Sequence, residues 1–145
     1  MHDLPRQLSE EELAELFEGK TALVERLAER EHPLESAGDV IDELSEAEKL
    51  EALNAHPAIG ARTSSARSAA EQGTEDDPGT LAELERLNRE YEQRFGFRFV
   101  VFVNRRPKRE IVPILRGRLE RSREEELDTA LHELVAIARD RWEHR

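Results

Sequence analysis

Repeated helix-start signals, each followed by an apolar rhythm of about 3.6 residues, constrain this chain more than any other feature. Ser9 and Glu12, Ser45 and Glu48, Thr80 and Glu83, and Ser122 and Glu125 each stand three residues apart ahead of an apolar run. In such a capping box the hydroxyl accepts from the amide three residues on, and the glutamate reaches back to the cap amide. Behind these caps Leu13, Leu16 and Phe17 share one face, as do Leu81, Leu84, Leu87, Asn88 and Tyr91, and then Leu127, Leu131, Leu134, Ile137 and Ala138. Leu23, Val24 and Leu27 mark a helix over residues 21–29, and Val40, Ile41 and Leu44 a shorter one. This spacing places apolar side chains on one side of a helix and polar ones on the other.

The breakers set the boundaries. Gly19 is expected to end the first helix and Pro33 the second. The helix after Ser45 must stop near Ala55, because the residue before Pro57 is pushed out of the α region. Residues 57–64 read as a loop, followed by a short helix through Ser68, Glu71 and Gln72 that Gly73 closes. The stretch GTEDDPG reads as a polar surface turn. Pro107 opens another helix through Ile111, Ile114 and Leu115, and Pro113 within it predicts a kink or a late start. One segment departs from the rhythm: FGFRFVVFV, beginning at Phe95, is aromatic and β-branched without helical spacing. A lone extended segment cannot make a sheet, so it is expected to lie between helices. The fold class is therefore all-α: one compact multi-helix domain over 1–145 with a buried extended segment at about Phe97–Val103.

Charge narrows the function. The formal net charge is −11. A nucleic-acid binder needs a basic face to displace counterions, and an anionic membrane attracts the same kind of surface, so neither partner is expected. No apolar run approaches the roughly 20 residues that span a bilayer, and MHDLPRQLSEEEL lacks the pattern of a signal peptide. A cytoplasmic protein is the expectation. With no cysteine, thiolate metal sites, disulfides and a cysteine nucleophile are excluded. None of the five histidines pairs with another at ligand spacing, so no metal site is expected.

Three places merit attention as sites of chemistry. His56 stands where a helix meets a proline-containing loop in NAHPAIGAR; it is either a general acid–base group or a helix-terminal histidine facing the dipole. Glu71 and Gln72, with Ser68 three residues before Glu71, either orient a histidine and read a polar ligand or form an ordinary solvated helix end. Arg118 in ILRGRLERS either clamps a carboxylate or ureido oxygen or is one solvated arginine among many. Spacing alone favours the plainer reading of each.

Taken in order, HPAIG, SAAEQG, NREYEQRFGFRFV, RL and a glutamate-rich final helix ending in IARDRW resemble the 2-oxo-4-hydroxy-4-carboxy-5-ureidoimidazoline (OHCU) decarboxylase family over nearly the whole chain. The resemblance implies the step that yields (S)-allantoin in urate breakdown, an all-α fold, no metal or organic cofactor, and a homodimer. It implies His56 as catalytic acid with Glu71 as its partner. Pro57, Ser68 and Gln72 would shape the site, Phe97, Phe99 and Val100 would offer backbone groups to the ligand ring, and Arg118 would contact its polar edge. Two departures stand out: Arg121 where the family has asparagine, and no tryptophan upstream of His56. The alternatives are an enzyme acting on a related ureido or hydantoin compound, and a non-catalytic helical interaction module. The module predicts that His56, Glu71 and Arg118 are scattered over the surface.

Overall fold

The computed structural model describes residues 7–56 and 78–144. Seven helices make up the described residues: α1 Glu10–Phe17, α2 Ala22–Ala28, α3 Ala37–Glu43, α4 Glu46–Asn54, α5 Pro78–Phe95, α6 Lys108–Arg118 and α7 Arg123–Glu143. There are no strands among them. The boxes at Ser9, Ser45 and Ser122 form as the spacing predicts, with both reciprocal bonds in each. The fourth start lies earlier than expected. Pro78 and Gly79 are already helical, which places the only proline of α5 in its first turn, where the missing amide costs nothing. Pro113 sits inside α6, so the expectation of a later start there does not hold.

The first and second helices also end differently. α1 is closed by Glu18 in the left-handed conformation (φ 66°), not by Gly19, and the Glu18 carboxylate meets Arg141 at 3.0 Å. A tertiary ion pair thus takes the place of glycine's conformational freedom. α2 ends at Ala28, ahead of Pro33.

α7 is the axis of one half of the molecule, with α1, α3 and α4 against it and α2 bridging α1, α3 and α4. α5 and α6 pack on each other. Charged groups join the layers by capping backbone. Glu51 accepts from the Ala22 amide at 2.9 Å, and Arg141 donates to the Leu16 carbonyl at 2.8 Å, each satisfying a group that a helix end leaves open. The core is one cluster drawn from every helix.

The segment from Phe97 to Val103 is extended and lies within that cluster, with Phe97, Phe99, Val100, Val101 and Val103 buried. Phe95 belongs to the end of α5 and not to the extended run. A tight turn follows: Arg106 donates to the Val103 carbonyl at 3.1 Å across Asn104 (φ 51°) and Arg105 (φ 61°). Positive φ at both central residues is the type I′ pattern, which favours Asn-Gly. Asn104 suits its place and Arg105 does not. Arg105→Gly should therefore raise stability by about 0.5–1 kcal/mol, read as a higher urea midpoint at unchanged slope. The Arg105–Asp140 contact at 3.6 Å, with the arginine half exposed, offsets little of that. An unchanged or lower midpoint would show that the arginine side chain matters more than its backbone strain.

Candidate functional site

His56 follows the C-cap of α4, and its amide donates to the Leu53 carbonyl at 3.2 Å. It stands at the helix end, as read, but is not solvated: the residue is only 8% exposed, and Nδ1 is buried without a hydrogen-bond partner among the described residues. Burial pushes the imidazole pKa down to about 4, with Arg141 and Arg98 acting in the same direction and Glu18 against it. At neutral pH the ligand-free ring is therefore unprotonated.

Arg98 is the residue that sequence reasoning passed over. Its side chain donates from Nη1 to the His56 carbonyl at 2.6 Å and to the Asn54 carbonyl at 3.2 Å, while its amide donates to Asn54 Oδ1 at 3.1 Å. The signal available was a single cation in the middle of an aromatic run, where only a specific partner justifies its presence. The extended segment is thus fastened to the end of α4 that carries His56.

Two residues along, the same segment is fastened to Arg118. This arginine is buried, contrary to the plain reading. Nη1 donates to the Val100 carbonyl at 2.6 Å and Nε to Glu126 Oε1 at 2.7 Å, and the guanidinium lies 4.6 Å from the centre of the Phe99 ring. Nη2 is buried with no hydrogen-bond partner among the described residues. The anchoring points at Arg98 and Val100 are about 7 Å apart along an extended chain. His56 and Arg118, 62 positions apart in the sequence, are therefore both tied to one short segment, the first by its carbonyl to the Arg98 side chain and the second to the Val100 carbonyl.

Phe97 and Phe99 point into the core against Tyr91, with ring centres 5.9 and 5.2 Å from it. Their side chains support the segment, so Phe97 and Phe99 could meet a ligand only through backbone groups. Glu126, absent from the apolar face read from the sequence, is fully buried, while Leu127 is only partly so. Glu126 Oε1 also accepts from Tyr91 Oη at 2.6 Å, and Oε2 accepts from Arg121 Nη1 at 3.0 Å. Burial and the bond to Glu126 hold the Tyr91 phenol well above its usual range, so it serves as a donor. Pro57, Ser68, Glu71 and Gln72 lie outside the described residues.

Among the described residues, no group of three or more His, Asp or Glu side chains is placed to hold a metal ion. No helix there is long and apolar enough to cross a membrane. A groove of 570 Å³ between α3 and α7, lined by Gly38, Phe102, His132 and Val135 among others, includes none of the candidate residues.

Comparison with known proteins shows the family and the fold. The family model described as OHCU decarboxylase matches residues 2–143. The 2-oxo-4-hydroxy-4-carboxy-5-ureidoimidazoline decarboxylase of Haloferax volcanii is 31% identical over 143 residues, covering 90% of this chain and 84% of the relative. The uric acid degradation bifunctional protein PucL of Bacillus subtilis is 28% identical over 153 residues, and the match spans 31% of that longer protein. A crystal structure of OHCU decarboxylase in the presence of (S)-allantoin superposes with a TM-score of 0.74 at 26% identity, covering 90% of this chain and 94% of the other.

Proposed function

The chain belongs to the OHCU decarboxylase family, and on that premise we propose that it decarboxylates 2-oxo-4-hydroxy-4-carboxy-5-ureidoimidazoline to (S)-allantoin. The observation that carries this reading is the common anchoring of His56 and Arg118 on the Arg98–Val100 stretch. A buried base and a buried guanidinium, each with a nitrogen that no described residue meets, suit a small anionic ring compound.

The chemistry fits such a site. The carbon–carboxylate bond breaks, carbon dioxide leaves, and the electron pair passes into the unsaturated ring. One proton is then delivered to one face of the carbon that carries the ureido group, which sets the stereocentre. The substrate holds its own electron sink, so no organic cofactor is called for. The protein's part is to fix one conformer, exclude water and supply that proton. His56 supplies it. An imidazole with a pKa near 4 has none to give at neutral pH, so its protonation must accompany ligand binding. A substrate carboxylate beside the ring favours the charged form, and Glu71 acts in the same direction. The same reading makes the protein a cytoplasmic homodimer.

The test is circular dichroism of allantoin formed from freshly generated OHCU. Excess of the (S) enantiomer with the protein, against racemate without it, is the expected result; racemate in both would overturn the proposal. Exhaustive chelation should leave the rate unchanged, because neither the residues nor the reaction needs a metal. Loss of activity that a divalent ion restores would show otherwise.

A further inference from the structure

Glu126 is a carboxylate with no solvent exposure on a core-facing helix. Burying it costs several kcal/mol that an apolar residue would avoid. Its effect is geometric. Glu126 holds Nε of Arg118, the Val100 carbonyl holds Nη1, and the Phe99 ring lies against the guanidinium. Among the described residues Nη2 is the one nitrogen of this guanidinium left without a partner, although a guanidinium seeks partners for all its donors. Glu126 is held in turn by Tyr91 and by Arg121, which also donates to Thr129 at 3.0 Å. Arg121 also approaches the Glu125 carboxylate at 3.8 Å, so it is shared between two carboxylates, whereas Arg118 has Glu126 as its anionic partner.

We infer that Glu126 is a positioning residue: it fixes Arg118 so that Nη2 is presented to a carboxylate on the ligand. The inference rests on the decarboxylase reading for the identity of the ligand, and on the geometry for the rest. Tyr91 acts with Glu126, since its hydroxyl fixes the same carboxylate oxygen that Arg118 uses.

The experiment is calorimetric titration of the full-length protein with hydantoin-5-acetate, a ring compound bearing a carboxylate, and with its neutral amide. The wild type should prefer the carboxylate. Glu126→Gln keeps the shape and an oxygen acceptor, but it replaces the ion pair with Arg118 by a weaker ion–dipole bond. It should bind the carboxylate about tenfold more weakly while binding of the amide changes little. A merely structural role predicts equal loss for both probes. A purely electrostatic role predicts tighter carboxylate binding, because a nearby negative charge is gone. Either result, or a wild type that does not prefer the carboxylate, overturns the inference. Tyr91→Phe is the second variant, should the first fail to fold: it should lose carboxylate affinity selectively by a few-fold, and an unchanged preference overturns the inference. Failure of the decarboxylase reading is distinguishable, because it appears as racemic allantoin from a wild type that still prefers the carboxylate probe.

Discussion

His56→Asn is expected to slow stereospecific allantoin formation by about 10²–10⁴-fold, the usual contribution of a positioned acid–base group. Asparagine is of similar reach but carries no proton that it can give up at neutral pH. Turnover should fall further than ligand affinity, since the lost interaction belongs to the transition state. Glu71→Gln should give a defect of the same kind, and the double variant should be little worse than His56→Asn if the two act as one unit. Stability supplies an independent reading of the same substitution. The folded pKa of about 4 lies below the ordinary histidine value of 6.5, so the unfolded chain binds the proton more readily between them. The stability contribution is present above pH 6.5 and is lost as the pH falls from there towards 4, by about 3 kcal/mol in all. His56→Asn should flatten that part of the profile. A variant that makes one enantiomer at near wild-type rate would remove His56 from the chemistry, and Arg98 and Arg118 would then be the residues to pursue.

Much of this molecule is readable in its sequence because much of it is set locally. A capping box needs only residues three apart, and those at Ser9, Ser45 and Ser122 form as read. The extended run is legible for the same reason: its composition cannot satisfy a helix. What the sequence conceals depends on partners far along the chain. Arg98 grips Asn54 and His56 across more than 40 positions, so its placement follows from the tertiary fold and not from its neighbours. Glu18 takes a glycine's place because Arg141 is there to meet it. On α7 the search for apolar side chains selected Leu127 and Leu131. The buried ridge also runs through Glu126, Ala130 and Arg141, where charge is tolerated only because each charged group finds a partner. A hydrophobic template discards those positions. They are the ones that hold the site in place, and so the candidate site was less legible than the fold.

Arg118→Leu tests that buried charge directly and should be the most destabilising single change among these residues. Leucine fits an apolar environment but leaves Glu126 enclosed, with only Tyr91 and Arg121 to meet it. Breaking a buried pair from one side costs about 3–5 kcal/mol, which for a chain of this length lowers the melting temperature by roughly 10 °C. The double variant Arg118→Leu with Glu126→Leu removes both charges, so it should recover a large part of that loss, because no buried carboxylate is left short of a partner. Ligand binding should not recover with it, since the donor that meets the ligand is gone in both variants. Stability and binding therefore separate: thermal melts place the double variant above the single one, and titration with hydantoin-5-acetate leaves both far below wild type. Equal melting temperatures for the single variant and the wild type would mean that Glu126 is not held by Arg118 in solution. A double variant that bound the ligand normally would mean that the guanidinium serves the fold alone.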